Sequence, residues 1–332
     1  MTGREVLFIA ARDVADLLSL DACIEAVEGA FRLHANGLSI VPGVLGTHVD
    51  GGGFHVKTAG LRFGERARYA AKVNANFPAN PSRFGLPTIQ GLLILFDAVD
   101  GCPLAIVDSA ELTSRRTAAA TAVAVRHLAR RDAAVVTVAG CGVQGREHLR
   151  AISRVRALSH AFAFDVEAGR AEAFAGEMHA ELKVDVRAAR DLATAARVSD
   201  ICVTCTPSRR AILHPGDVAV GALVAGVGAD NPEKQELDPD LLAASKVVVD
   251  VLDQCVAIGD LHHAIEAGAM RREDVHAELA EVVAGQRPGR TSDEEVIVFD
   301  STGTALEDVA AAVAVYEAAL NSGRGRVLGL GG

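Results

Sequence analysis

Apolar residues recur along this chain in two patterns. From residue 133 onward, short continuous apolar runs at 133–139, 160–164, 182–186, 201–205, 222–227 and 246–250 alternate with amphipathic stretches. In one of these stretches, 143–155, Arg146, Glu147 and Arg150 are charged while Leu149 and Ile152 are apolar. Continuous runs of this length read as strands buried on both faces, and their alternation with helices predicts a doubly wound parallel sheet. The earlier part reads differently. A strand candidate at 6–9 precedes a helix that Asp21 can cap, with Ile24, Val27 and Phe31 on one face and Gly37 as its stop. Glycine-rich strand candidates follow at 41–56, 54–58, 69–74, 89–97 and 104–108, which predicts a smaller α+β domain. Thr113 is read as the N-cap of an Ala-rich helix running to about residue 130. A last strand at 296–300 leads to the tight turn Ser301-Thr302-Gly303, and the capping box Thr304–Glu307 opens a helix to about residue 320. The expected division is 1–112 with 305–332, and 113–304.

The turn after the 133–139 run carries the most specific chemistry. Gly140-Cys141-Gly142-Val143-Gln144-Gly145 has G-x-G-x-x-G spacing between a strand and a helix. Its first glycine makes the bend, its second lets a pyrophosphate approach the backbone, and its third lets helix pack on strand. The N–H groups at the helix start then face the phosphates. Asp165 ends the next strand, twenty residues past Gly145, where a carboxylate accepts the ribose 2′-hydroxyl of NAD and repels the 2′-phosphate of NADP. The 113–304 segment is therefore expected to be a Rossmann domain that favours NAD(H) over NADP(H). Thr204, Thr206, Val227 and Asp230 fall at the C-terminal ends of two further strands, where such sheets bind ligands.

Three cations stand out in the smaller domain. Lys57 and Lys72 each sit in a strand among apolar neighbours and close to turn-rich segments, which suggests that they face a polar pocket. Arg116 is expected in the first turn of the helix capped by Thr113. A cation there opposes the helix dipole and points to an anionic ligand.

Composition removes other classes. The chain has 332 residues and no Trp, with 4% aromatic side chains, so its core must be Ala, Val and Leu. A net charge of −10 without Lys and Arg clusters argues against nucleic acid. No apolar run reaches membrane-spanning length and the N-terminus lacks a signal-peptide pattern, so a soluble cytoplasmic protein is expected. Six cysteines scattered over a long chain do not form a disulfide framework. Cys202 and Cys205 face opposite sides if they share a strand, and nothing completes a ligand set around His262-His263, so no metal site is expected.

Taken together, these residues resemble the ornithine cyclodeaminase/mu-crystallin family, which includes amino-acid dehydrogenases and ketimine reductases. The matching stretches are Lys72-Val-Asn-Ala-Asn-Phe-Pro-Ala-Asn80, Gly85-Leu-Pro-Thr88, Leu95-Phe-Asp-Ala98, Thr113-Ser-Arg-Arg-Thr-Ala-Ala119, the glycine turn, Val227-Gly-Ala-Asp230 and Phe299-Asp-Ser-Thr-Gly303. They run in family order over about residues 40 to 310. The resemblance implies a homodimer in which the N-terminal segment and the C-terminal helix build the interface and the substrate pocket, and it implies an NAD(P) cofactor. Carried over by position, Lys72 and Arg116 hold the substrate carboxylate, Thr88 lines the pocket, and Asp230 addresses the reacting amine or imine nitrogen. Thr117, Gly140, Gly142, Val143, Gln144, Gly145, Asp165, Thr204 and Ser301 contact the dinucleotide, with Thr206 and Val227 at the same strand ends.

Two departures matter. Relatives commonly carry an Arg soon after the Pro that begins the N-terminal hairpin, whereas Pro42 is followed here by Gly43. Where many have Met-Pro in the next strand, this chain has Lys57-Thr58, so Lys57 is expected to replace the missing Arg. His55 sits about where cyclodeaminases have an acid. The leading expectation is an NAD(P)H-dependent imine reductase or amino-acid dehydrogenase making an L-amino acid from a small α-imino acid, including a dicarboxylate such as iminosuccinate. Cyclodeaminase chemistry is the enzymatic alternative. It calls for spare acids in the pocket, and the N-terminal segment offers few besides Asp50 and Glu65. A mu-crystallin-like binding protein is the third reading, and the joint presence of Lys72, Arg116 and Asp230 argues against it.

Overall fold

The structure, a computed structural model, describes residues 5–330; the remaining residues, including the last two glycines of the closing tail, lie outside the described residues. The chain forms two units, Met1–Arg116 with Thr304–Gly332, and Thr117–Gly303. The first begins with β1 (Glu5–Ile9), α1 (Ala11–Leu17) and α2 (Leu20–Ala35). The cap of α2 is Ser19, whose Oγ accepts from Ala22 N at 3.2 Å, and not Asp21. Asp21 lies in the first turn instead, where its charge still suits the dipole. Then come β2 (Ser39–Val49), β3 (Gly52–Phe63), β4 (Arg66–Asn76), α3 (Asn80–Phe84), β5 (Ile89–Asp97), β6 (Pro103–Asp108) and α4 (Ser109–Leu128). β2 to β6 form an antiparallel meander. Period-2 alternation puts Lys57, Ala59, Leu61, Ala70, Lys72, Leu93 and Leu95 on one face. Leu45, Val56, Val73 and Leu92 form a cross-strand row on the other.

The second unit holds β7 (Val135–Ala139), α5 (Val143–Val155), β8 (His160–Phe164), α6 (Ala168–Leu182), β9 (Asp185–Ala188), α7 (Leu192–Ala196), β10 (Ile201–Thr204), β11 (Arg209–Leu213) and β12 (Leu223–Gly226). It continues with β13 (Gln235–Leu237), α8 (Pro239–Ala243), β14 (Lys246–Val249), α9 (Leu252–Ile258), α10 (Asp260–Glu266), β15 (Ala277–Glu278), α11 (Leu279–Val283) and β16 (Ile297–Asp300). Its main sheet has the order β15-β14-β16-β12-β10-β7-β8-β9 with parallel pairings, the doubly wound arrangement expected from the apolar runs. The strand order turns back between β7 and β10, which makes that edge the ligand-binding switch point. Boundaries moved where helix and strand compete. The run at 182–186 starts its strand only at Asp185, because Leu182 still ends α6 and Lys183 closes that helix in the left-handed region at φ 59°. β11 and β13, which form a small sheet of their own, carried no period-2 signal.

The chain then returns to the first unit with α12 (Ala305–Ser322) and β17 (Arg326–Gly329). Thr304 caps α12 through the expected box with Glu307. β17 adds antiparallel to β1, completing the order β17-β1-β6-β5-β4-β3-β2, a strand that was not among the sequence candidates. Residues 305–312 of α12 are buried without a polar stripe. A helix segment buried all round must be covered on all sides, its two acids Glu307 and Asp308 included, and α12 packs on the lysine-bearing sheet face and on α2. α4 starts at Ser109, four residues before Thr113, with Asp108 Oδ1 accepting from Ala110 N at 3.0 Å. Thr113 is therefore not a cap and Arg116 does not stand among free N–H groups. The helix-dipole reason for an anion there does not apply.

Candidate active site

Register brings Lys57 directly opposite Lys72 on the face covered by α12. Two ammonium groups so placed repel unless anions intervene. α12 supplies the anions. Lys72 Nζ lies 2.8 Å from the Asp308 carboxylate and donates to Thr113 Oγ1 at 3.3 Å. Arg116 reaches Glu307 Oε2 at 2.7 Å through a terminal nitrogen and Asp308 Oδ1 at 2.8 Å through Nε. Lys72, Arg116, Glu307 and Asp308 are all buried. Lys57 adds a third cation to the same face, directly across from Lys72. Burial, and next the Arg116 charge, pull the Lys72 pKa down to about 7, against the Asp308 carboxylate that raises it. Burial pushes Asp308 up, but Arg116 and Lys72 outweigh that and hold it below the usual carboxylate range. Near neutrality the cluster therefore combines a fixed anion, a permanent guanidinium and a lysine able to release its proton.

In the second unit the glycine turn has the geometry its spacing called for. Gly140 has φ +102°, and a Cβ there would lie 2.8 Å from Cys205 O. A Cβ on Gly145 would meet Gly140 O at 2.2 Å, so the close packing of α5 on β7 requires glycine. Gly142, the N-cap of α5, has no atom within 4 Å of where a Cβ would stand, leaving an open cradle at the helix start. Gln144 Oε1 in the first turn is a buried acceptor with no partner among the described residues. Exposed N–H groups, an open cradle and an unsatisfied acceptor fit a dinucleotide pyrophosphate and its hydroxyls. Val143 is exposed at the first helical position. Asp165 accepts from Cys141 N and from Glu167 N, both at 3.0 Å, one on each carboxylate oxygen. It thus ties the end of β8 to the glycine turn, and each oxygen keeps a lone pair for a hydroxyl.

Two buried acids organise the neighbouring strand ends. Glu236 accepts from Thr206 N at 2.6 Å, Thr204 Oγ1 at 2.8 Å and Gly228 N at 2.7 Å. A Cβ on Gly228 would come within 2.5 Å of Glu236 Cδ, so that position must be glycine. Burial raises the Glu236 pKa against these donors. Asp250 likewise accepts from Gly303 N at 2.7 Å and Ser301 Oγ at 3.4 Å after β16. Val227 N donates to Thr204 O at 2.9 Å. Asp230 is half-exposed beyond this clamp and pairs with Lys234 Nζ at 2.7 Å.

The structure thus brings Lys57, Lys72 and Arg116 together, and gathers Thr204, Thr206 and Val227 under Glu236. Thr117 is buried on α4 next to Arg116 in sequence. Thr88 immediately precedes β5, whose Leu93 is the cross-strand partner of Lys72. Sequence reading missed Glu307 as an ion-pair partner, since its capping role accounted for it, and passed over Asp308 and Glu236. The available signal for Asp308 was a pair of adjacent acids in an otherwise Ala- and Val-rich helix. Glu236, on a three-residue strand, gave none. Among the described residues no group of three or more His, Cys, Asp or Glu could hold a metal ion, and no helix is long and apolar enough to cross a membrane.

A doubly wound parallel sheet with a glycine turn at its switch point in one unit, and an antiparallel strand-rich unit in the same chain, define a two-unit α/β fold of the dinucleotide-binding class. The chain belongs to the ornithine cyclodeaminase/mu-crystallin family, whose model matches residues 4–323. Three solved structures illustrate the likeness. An archaeal alanine dehydrogenase dimer with bound NAD is 37% identical, with a TM-score of 0.93 over 98% of this chain and 99% of that one. The Δ1-pyrroline-2-carboxylate reductase of Thermococcus litoralis, in complex with NADH and L-proline, is 32% identical at a TM-score of 0.92 over 97% and 99%. The iminosuccinate reductase of Paracoccus denitrificans, in complex with NAD⁺, is 31% identical at 0.89 over 98% and 99%.

Proposed function

We propose that the protein is an NAD(P)H-dependent imine reductase or amino-acid dehydrogenase that converts a small α-imino acid into an L-amino acid. The observation that carries this reading is the buried cluster of Lys72 and Arg116 with Glu307 and Asp308, with Lys57 directly across from Lys72, which we read as the place of the substrate carboxylate. It occurs in a chain whose relatives act on amino and imino acids. The glycine turn, Gln144, Asp165, Thr117, Thr204, Thr206, Val227 and Ser301 would hold the dinucleotide. When bound, its reduced nicotinamide supplies hydride to the imine carbon. Lys72 and Arg116 hold the carboxylate and fix the orientation of that carbon. Asp230, paired with Lys234, would accept the N–H of the protonated imine, which favours the electrophilic form. Lys57 offers a further cationic contact, which suits a dicarboxylate such as iminosuccinate. The cyclodeaminase alternative is less well supported, because Glu307 and Asp308 are engaged by Arg116 and Lys72 and do not stand ready for a side-chain amine.

Three measurements test the proposal. NADH oxidation should be seen with at least one member of a panel of 2-oxo acids plus ammonia or methylamine, cyclic imines and iminosuccinate. Oxidation of none, with ammonia released from ornithine or lysine, would replace it by the cyclodeaminase reading. NADH should be preferred to NADPH and Asp165→Ser should mainly relax that preference; equal wild-type kcat/KM for the two cofactors would rule the preference out. A homodimer is also proposed, through the bare sheet face where Leu45, Val73 and Leu92 are 63%, 45% and 48% exposed. An apolar row of this kind marks an interface. Light scattering at micromolar concentration should give twice the chain mass of 34.5 kDa, and a monomer mass would refute it.

A further inference from the structure

The cation cluster contains a residue that needs a role of its own. Asp308 is fully buried, and it lies within 2.8 Å of both Lys72 and Arg116. A buried carboxylate with two cationic partners costs desolvation, and a core helix such as α12 would pack as well with an apolar residue there. Nothing in the capping of α12 uses it, since Thr304 and Glu307 form the box. We propose that Asp308 is a positioning residue, which holds Lys72 and Arg116 on one carboxylate so that the two cations meet the substrate carboxylate as a fixed pair. This inference rests on the carboxylate-binding role of Lys72 and Arg116 proposed above.

The surroundings of Lys72 show why such a device is useful. Lys57 faces it from β3 and Arg116 from α4, both positive, while Thr113 of α4 accepts from it and Leu93 of β5 is apolar. α12 brings negative charge, through Asp308 beside Lys72 and Glu307 on Arg116. Without Asp308, burial and the two like charges would drive Lys72 toward its neutral form, and a neutral amine binds a carboxylate poorly. Asp308 also fixes direction. The lysine stem has four rotatable bonds, and an anchored ammonium loses less entropy when a ligand arrives.

The experiment uses the full chain labelled with ¹³C at the lysine ε-carbon. With only Lys57, Lys72, Lys183, Lys234 and Lys246 in the sequence, the spectrum can be assigned by Lys→Arg substitution. Pyruvate is the carboxylate probe. In wild type, pyruvate should shift the Lys72 signal. In Asp308→Asn the Lys72 titration midpoint should fall by about one pH unit or more, and pyruvate affinity at pH 7 should drop at least about tenfold. NADH affinity should stay within about twofold. In Asp308→Glu, which keeps the charge but displaces it, the midpoint should stay close to wild type while pyruvate affinity still falls. That split separates positioning from charge alone, and it keeps the test open if the Asn variant does not fold. Unchanged pyruvate affinity in either folded variant would overturn the inference, as would a wild-type Lys72 signal that ignores pyruvate. A wild type that binds pyruvate through Lys72 yet reduces no imine would refute the reductase reading while leaving the positioning role standing.

Discussion

Arg116→Met is expected to damage both stability and activity, more than any other single change at the cation cluster. Its guanidinium contacts Glu307 and Asp308, both almost fully buried. Removing one partner from a buried ion pair leaves the other charge without compensation, which costs about 3–5 kcal/mol. For a chain of this size that corresponds to a fall in Tm on the order of 10 °C. The double variant Arg116→Met/Glu307→Gln should recover part of this loss, because one stranded carboxylate is then neutral. On the catalytic side, loss of the proposed contact to the substrate carboxylate should lower kcat/KM by roughly two to three orders of magnitude, mostly through KM. Thermal unfolding and steady-state kinetics on the folded fraction read the two effects separately. A variant with wild-type Tm and wild-type KM would show that Arg116 neither compensates the acids nor meets substrate.

The second large effect is expected at Lys57. Gly43 cannot supply the Arg found at this place in relatives, and a Cβ added at Gly43 would lie 2.9 Å from Thr58 Oγ1 across the β2–β3 pair. Lys57 shares a cross-strand row with Lys72 and is close enough that its charge lowers the Lys72 pKa. If it clamps substrate, Lys57→Met should raise KM by roughly one to three orders of magnitude, each 1.4 kcal/mol being about tenfold. NADH affinity should be unaffected, because the residues proposed for the cofactor all belong to Thr117–Gly303. The same substitution removes a like charge from Lys72, so the Lys72 midpoint should move up and activity should persist to higher pH. A fall in kcat at constant KM would instead make Lys57 a proton donor. Wild-type values of both would leave it a strand lysine without a part in binding.

Much of this protein was legible in its sequence because the signals were local. Apolar runs of strand length alternating with helices fixed the doubly wound unit, and the spacing Gly140, Gly142, Gly145 with Asp165 located the dinucleotide turn. Each depends only on residues near in sequence, whose backbone requirements follow from sterics and hydrogen bonding. The capping box at Thr304 was readable for the same reason. Three things depended on contacts between distant residues. Where α4 begins was decided by Asp108 and the end of β6, so the apparent cap Thr113 became an interior residue that accepts from Lys72. The closing tail became β17 only because β1 offered an unpaired edge some three hundred residues earlier. The state of the cations was set by Glu307 and Asp308, which reach Arg116 and Lys72 across separations of 191 and 236 residues. Sequence by itself placed lysines and an arginine among apolar neighbours. Tertiary structure alone decided which acids face them, because only the folded chain brings α12 onto that face of the sheet and buries the charges together there.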